Sequence, residues 1–391
     1  MKILIFNTLF YPNEIGGAEI SVKELAIQYE NLGHEVFIVS IGKKHEKYDY
    51  EGIKCYTIPH NNLYWSIDSK KYDRKIRYIW HLVENFNLLQ FFSVMRIVNA
   101  IRPDIIHANN TAGFSIFIPI VSKILGIKSI KTLRDYYDIC LSGTRFKNGS
   151  KCEITCKECL VANTPKRMSL KLYDSITSIS QSMADIFQSE GFGRISIVYN
   201  GISKNHTELF YIRDPEKNLN FGFIGRDSPE KGLNLLIESF IELSKIKQSI
   251  ELTVAGNNGD KYRSYKYENI SFLGYIEKED FYKEIDMLVV PSLWDEPFGR
   301  VIIEASLRGI PVIVSKNGAS RELLKLGVIG LEFDGSQSDL IKAMGDSLLR
   351  FDELRVSSKK RVSNLEDIFS VEKSANKYIS LIERINEKYR S

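Results

Sequence analysis

A chain of 391 residues exceeds what one hydrophobic core supports, and its balance of 43% hydrophobic and 26% charged residues with 10 prolines excludes a disordered or fibrous protein. Net charge is +4, with 25 Lys+Arg against 19 Asp+Glu in residues 1–200 and 28 against 30 in residues 201–391, too small and too diffuse a surplus for a nucleic-acid-binding protein. Five cysteines, an odd number, argue against a disulfide framework and for a reducing compartment, hence the cytoplasm.

The opening "MKILIFNTLF" reads as a first buried strand; it lacks a cleavage-type site, and no run in the chain approaches the ~18 apolar residues of a membrane span. It leads into "YPNEIGGAE", where Gly16 and Gly17 precede a helix. Backbone without side chains approaches a phosphate or sugar closely, although an ordinary βα turn has the same composition, and the dinucleotide fingerprint G-x-G-x-x-G is absent. "EISVKELAIQYENLG" follows with helical spacing and Gly33 as its stop. The near-continuous apolar runs "HEVFIVS", "PDIIHAN", "IKSIKTL", "SITSIS" and "ISIVYN" come next, separated by helices, as in a parallel sheet covered on both faces. Residues 64–102 mix cations with Trp and Phe on helices and have two readings, a face resting on an acidic membrane or a helix packed on its own domain. His107 closes a strand, where it either faces a ligand or is a satisfied core histidine.

Cys140, Cys152, Cys156 and Cys159 form C-x11-C-x3-C-x2-C. Two readings stay open, a structural tetrathiolate zinc site and reduced thiols ordering a loop, because the spacing fits metal motifs only loosely.

The pattern lapses over residues 203–220 and resumes at "FGFIG", which divides the chain into domains 1–202 and 203–369. "FIGRDSPEKG" then places Arg226 and Lys231 after a strand, two cations suited to a diphosphate, though a solvated charged loop looks the same. "IELTVAG", "ISFLGY", "MLVVPS", "IPVIVS" and "VIGLEF" complete a second parallel sheet. Within "DEPFGRVIIEA", a helix from Gly299 through Arg308, closed by Gly309, presents its free amides near Phe298, Gly299 and Arg300 to an anion. Glu296 precedes those amides and Glu304 lies inside the helix. A carboxylate accepts two hydrogen bonds in a fork, matching the paired hydroxyls of a ribose or hexose, while the bland alternatives are a capping acid and a surface residue. The result is α/β, two Rossmann-like doubly wound sheets in tandem, expected to face each other across a ligand cleft.

Together "GGAE", "GRDSPEKG" and "EPFGRVIIEA", in this order and spacing, resemble the retaining GT-B glycosyltransferases of family GT4, whose E-x7-E motif falls on Glu296 and Glu304. The resemblance implies that Glu296 lies near the transferred sugar, Glu304 binds the ribose, Arg226 and Lys231 hold the diphosphate, and Gly16 and Gly17 with the backbone at Phe298 and Gly299 touch the donor. In "LGYIEKED", Gly274, Tyr275 and Ile276 would flank the base. Many relatives carry His-Asp where this chain has Arg134-Asp135; arginine keeps its proton at neutral pH, so Arg134 is expected to act electrostatically or on hydroxyls, oriented by Asp135, unless the pair is a structural ion pair. The resemblance further implies that a helix at about 370–391 crosses back onto the first domain. The expected activity is hexosyl transfer from a nucleotide diphosphate sugar to a glycan or lipid-linked glycan, with no metal cofactor needed for catalysis, no nucleic-acid partner and contact with the inner membrane face as one reading. The alternatives are a sugar-nucleotide epimerase and a catalytically silent nucleotide-sugar or glycan-binding module.

Overall fold

The computed structural model of the chain describes residues 1–13, 16–203, 217–256 and 267–387. Most of the polar stretch at the expected domain boundary, and Glu14 and Ile15 of the glycine turn, lie outside the described residues. The chain divides into two compact units: residues 1–145, 152–202 and 371–391 form the first, and residues 146–151 and 203–370 the second.

Strands and helices alternate throughout. The chain begins with β1 (Lys2–Phe6), α1 (Gly17–Asn31), β2 (Glu35–Gly42), β3 (Glu46–Tyr50), β4 (Ile53–Pro59), α2 (Arg74–Asn85), α3 (Leu88–Ile101), β5 (Ile105–Ala108), α4 (Phe117–Ile124) and β6 (Lys128–Leu133). A small hairpin of β7 (Phe146–Lys147) and β8 (Ser150–Lys151) precedes α5 (Lys157–Ala162), α6 (Thr164–Leu170), β9 (Ser175–Ser178), α7 (Gln181–Ser189) and β10 (Ser196–Ile197). The second series runs β11 (Leu219–Ile224), α8 (Leu233–Ser244), β12 (Ile250–Ala255), β13 (Ile270–Gly274), α9 (Lys278–Glu284) and β14 (Met287–Val290). It continues with α10 (Arg300–Ser306), β15 (Val312–Ser315), α11 (Ala319–Lys325), β16 (Gly330–Phe333), α12 (Gln337–Leu349) and α13 (Phe351–Ile368), before α14 (Val371–Glu387).

The first sheet has the order β10-β9-β6-β5-β1-β2-β4-β3, all parallel except β3, which pairs antiparallel with β4. Strand alternation splits its core: Ile3 and Ile5 of β1 enter one cluster with Tyr29, Ile38 and Ile130, while Leu4 and Phe6 enter another with Val39, Val94, Val98 and Ile106. Helix α14 completes the first cluster through Tyr378, Leu381 and Ile382. Helix α1 stops where expected, with Gly33 at φ +80°, a left-handed position that a Cβ would strain. The second sheet has the order β13-β12-β11-β14-β15-β16, also parallel. Its core joins Phe221, Leu252 and Val289 to Leu236 and Phe240 of α8 and Leu340 and Met344 of α12.

In each sheet the chain order reverses once, between β1 and β5 in the first and between β11 and β14 in the second. Loops leaving the carboxyl ends of those neighbours diverge to opposite faces and leave a crevice, the usual ligand position in a doubly wound sheet.

His107 does not face such a crevice. It is fully buried in β5, with Nε2 2.7 Å from Thr132 Oγ1, Nδ1 3.3 Å from the Tyr29 hydroxyl and its ring 4.7 Å from that of Tyr378. Burial, helped by the nearby Arg134 charge, holds its pKa down to about 3. An unfolded histidine titrates near 6.5, so the unfolded state binds the extra proton first; this group's contribution is intact above that pH and is lost as pH falls toward 3, at about 1.4 kcal/mol per pH unit. We expect His107→Gln to be less stable than the parent at pH 7.5 but to lose stability less steeply between pH 6 and 4 in urea titrations. Parallel acid slopes would remove the assignment.

Candidate active site

At the reversal point of the second sheet, the loop after β11 carries Arg226 and Lys231, and the loop after β14 carries Glu296. Lys231 ends a short 3-10 turn, Pro229–Lys231, and its Nζ lies 2.8 Å from Glu296 Oε2 and 3.0 Å from Oε1. Ser292 Oγ and Trp294 Nε1 also donate to Oε2, at 2.9 and 3.0 Å. Burial pushes the Glu296 carboxyl up, but the Lys231 charge and these hydrogen bonds outweigh it and hold the group below its ordinary value. It is therefore a buried anion. A lysine ammonium has three protons, two of which reach Glu296, so one remains for a ligand oxygen beside the carboxylate. The Arg226 side chain is exposed and, among the described residues, makes no hydrogen bond or ion pair. It is not drawn into the Lys231–Glu296 group.

The loop holding Glu296 is pinned by contacts that sequence reading missed. Ala319 donates its amide to the Glu296 carbonyl at 2.8 Å, and Asn317 and Ser315 donate side-chain hydrogens to Ser292 O at 3.0 and 2.6 Å. A Cβ at Gly318 would stand 2.3 Å from the Glu296 nitrogen, so only glycine lets the loop after β15 press against the loop after β14. The run "SKNGAS" carried that signal as Asn-Gly between strand and helix.

Helix α10 is shorter than expected, seven residues from Arg300, with Gly299 at φ +83° before it. Glu304 is buried within it. Its Oε1 accepts from Arg300 Nε and from Lys278 Nζ, both at 2.7 Å, and its Oε2 from the Tyr282 hydroxyl at 3.2 Å. Burial raises its pKa, while Lys278 and Arg300 lower it further, leaving a carboxylate held below its usual range. A carboxylate offers about four acceptor positions, so three are occupied here. Arg300 and Tyr282 are buried, whereas the Lys278 side chain is 38% exposed and is the most accessible of the three donors. Lys278 and Tyr282 begin and line α9, just after Gly274, Tyr275 and Ile276, which leave β13. Gly274 has φ +67° and Tyr275 is almost wholly exposed. The Phe298 ring is buried, edge-on to Phe369 at 5.9 Å, so this residue offers a ligand its backbone alone.

In the first unit, Gly16 precedes α1 and Gly17 opens it, with the Gly16 amide donating to Glu19 Oε2 at 3.1 Å. Glu19 is buried, and burial, with Asp135 adding repulsion, raises its pKa. Arg134 directly follows β6. It does not take its orientation from Asp135, as expected from sequence: its Nε donates to Asn109 Oδ1 at 2.7 Å and its Nη1 to Asn200 Oδ1. Asp135 instead accepts the Tyr137 amide at 2.9 Å. Burial lifts the Asp135 pKa to about 6, against the lowering from the Tyr137 amide and Lys131.

Among the described residues no metal-binding group of three or more Cys, His, Asp or Glu side chains is found, and all five cysteines are free thiols, with the Cys159 thiol in contact with those of Cys140 and Cys156. The loop is ordered by other groups: Arg145 Nη2 donates to the Cys152 and Glu153 carbonyls at 2.8 and 3.2 Å, and Glu190 binds Arg167 at 3.0 Å and the Thr155 hydroxyl. Cys140 accepts the Arg145 amide at 3.3 Å. A separate cavity of about 500 Å3 opens beside β10 and α14, lined in part by Ile197, Lys377 and Leu381; no candidate site residue borders it.

Comparison with known proteins gives two family matches, Glycosyltransferase Family 4 over residues 15–206 and Glycosyl transferases group 1 over residues 207–364. The chain is similar to an uncharacterized 42.6 kDa protein in the cps region of Klebsiella pneumoniae, 32% identical over 335 residues that cover 83% of this chain and 88% of that one. Its fold is similar to sucrose-phosphate synthase from Thermosynechococcus elongatus, with TM-score 0.77, 17% identity and 99% of both chains covered. It is also similar to HepE of Anabaena in complex with UDP and glucose, with TM-score 0.69, 19% identity and 98% and 100% of the two chains covered.

Proposed function

The chain belongs to the GT4 family of GT-B glycosyltransferases, and from that premise we propose that its second unit holds a nucleotide diphosphate hexose and that the sugar passes, with retention, to a glycan or lipid-linked glycan hydroxyl. The observation that carries this reading is the buried Glu296 carboxylate paired with Lys231 at the reversal point of the second sheet, with the buried Glu304 on the helix that follows the same loop. In it, Glu296 accepts a sugar hydroxyl, Lys231 and Arg226 stabilise the departing diphosphate with the amides near Gly299, and Glu304 takes the ribose diol as Lys278 withdraws. Gly274, Tyr275 and Ile276 flank the base, Gly16 and Gly17 approach the donor phosphates, and Arg134 acts on charge or hydroxyls. The leaving diphosphate accepts the proton of the attacking hydroxyl. With cations in place of a metal, turnover is expected to persist in a chelator. The HepE complex with UDP and glucose, and a relative in a cps region, support a nucleotide-sugar donor and a surface-polysaccharide setting.

The test is a panel of UDP-, GDP-, ADP- and TDP-sugars assayed for thermal stabilisation and slow hydrolysis with the purified chain. At least one donor should raise the melting temperature; if none does, the reading fails. Once a base is known, Glu304→Gln should weaken its nucleoside diphosphate by about 1.5 to 3 kcal/mol, roughly ten- to a hundredfold, the cost of charge-assisted bonds to the ribose. The 2′,3′-dideoxy nucleotide should bind both proteins alike. An equal loss for both ligands would take the ribose from Glu304.

A further inference from the structure

Helix α2 is built inside out. Its inward face carries Trp80, Glu84 and Asn85, all nearly fully buried, and the start of α3 buries Gln90. These polar groups are used structurally: Asn85 Nδ2 donates to Ala162 O at 2.7 Å, Gly113 donates its amide to Glu84 at 2.7 Å, and Asn61 donates to Gln90 Oε1 at 2.9 Å. Beyond the cations of its first turn, what α2 leaves to solvent is apolar. At the corner between the two helices Phe86, Leu88, Leu89 and Phe92 are 66%, 65%, 64% and 65% exposed, and Ile79 and Leu82 extend the same surface along α2. A soluble protein rarely leaves so large a contiguous apolar patch in water without a partner.

The charges around the corner select that partner. Residues 70–102 contain seven cations, Lys70, Lys71, Arg74, Lys75, Arg77, Arg96 and Arg102, against two acids, Asp73 and Glu84, and Glu84 is buried 2.9 Å from Lys166. Lys75, Arg77 and Arg96 are exposed and, among the described residues, in no ion pair. Large side chains that stand two-thirds clear of their neighbours form a protrusion, which a fluid lipid surface accepts without a matching cavity. No described helix is long and apolar enough to cross a membrane, so the contact is interfacial.

We propose that the α2–α3 corner inserts Phe86, Leu88, Leu89 and Phe92 into an anionic bilayer, with Lys75 and Arg77 on the headgroups. The inference deepens the lipid-linked-acceptor side of the proposed function and names its partner surface. Vesicle binding needs no sugar donor, so its failure and that of the transferase reading are read separately.

The test is sedimentation of the full chain with vesicles of phosphatidylcholine alone or with about one third phosphatidylglycerol, at low and high salt. The parent should bind the anionic vesicles about tenfold or more better than the neutral ones, and less well as salt rises. Leu89→Ser with Phe92→Ser should lose about tenfold or more on anionic vesicles at an unchanged melting temperature, since both positions are exposed. Lys75→Gln with Arg77→Gln should lose most of the preference for anionic lipid. Failure of the parent to sediment with anionic vesicles overturns the proposal, as does a serine variant that binds like the parent. A parent that is dimeric by light scattering, fails to bind vesicles and becomes monomeric in the serine variant also overturns it, and makes the corner a surface between copies of the chain.

Discussion

Lys231→Met is expected to lower turnover by about two to three orders of magnitude, the cost of removing one preorganised donor from a developing anion. The reason lies in the two tasks that one ammonium can perform. Two of its protons are spent on Glu296, whose carboxylate is buried and kept ionised by that charge together with Ser292 and Trp294. In the proposed reaction the third proton goes to the diphosphate. Methionine keeps much of the stem's packing against Trp294 but removes both roles, leaving Glu296 buried without its counter-ion. Burial then pushes the Glu296 carboxyl upward, and the lost pairing is expected to cost about 3 kcal/mol or more of stability. Lys231→Arg separates the tasks: it retains the charge, and its melting temperature should lie closer to the parent's, while the bulkier fork occupies space needed by the diphosphate. Steady-state kinetics on the donor identified by the panel, measured beside thermal melting, decide the matter. A methionine variant within about threefold of the parent in turnover would take Lys231 out of the reaction.

Glu84→Leu is expected to destabilise the protein by about 3–5 kcal/mol, well beyond the effect of a substitution on the exposed surface. Glu84 is a buried junction. Lys166 Nζ lies 2.9 Å away and 3.8 Å from the Tyr137 ring centroid, the Tyr137 hydroxyl and the Gly113 amide donate to the carboxylate, and His81 stands 3.9 Å off. Burial raises the Glu84 pKa, but Lys166 and His81 overcome that and bring it to about 2. Its contribution is therefore full above the ordinary glutamate range near 4.3 and is lost as pH falls from there toward 2, below most of the His107 window. Removing Glu84 alone strands the Lys166 charge in a dry site. The double variant Glu84→Leu, Lys166→Met should be more stable than Glu84→Leu, because no uncompensated charge remains. Equilibrium denaturation of the parent, both single variants and the double checks this; additive losses would show that Lys166 and Glu84 are not energetically coupled.

The parallel strands were legible in the sequence because buried parallel strands are nearly unbroken apolar runs, and "KILIFN", "MLVVPS" and "IPVIVS" all contain strands within a residue or two. Strands β3 and β4 escaped notice because their hairpin turns at Glu51-Gly52, with φ +51° and +84°, without the Asn-Gly pair that usually marks such a turn. At the candidate site, the two E-x7-E glutamates stood out by spacing, and each is held by its own cation, Glu296 by Lys231 and Glu304 by Arg300. Lys278 and Tyr282 did not stand out. They reach Glu304 because α9 packs beside α10 through sheet order, a relation with no sequence period. The cysteine spacing alone could not say which thiols meet: Cys159, inside α5, contacts Cys140 and Cys156. Likewise, helical periodicity in α2 identified an apolar face without saying which face the protein keeps inside.

Helix α14 follows the entire second unit in sequence yet supplies Tyr378, Leu381 and Ile382 to the core built on β1, β2 and β6. During synthesis, residues 1–202 therefore emerge with one wall of their core still unmade. The second unit is continuous in sequence apart from its small hairpin. The first must wait for residues 371–387, so the segment that leaves the ribosome earliest cannot reach its final packing until the helix made last has emerged.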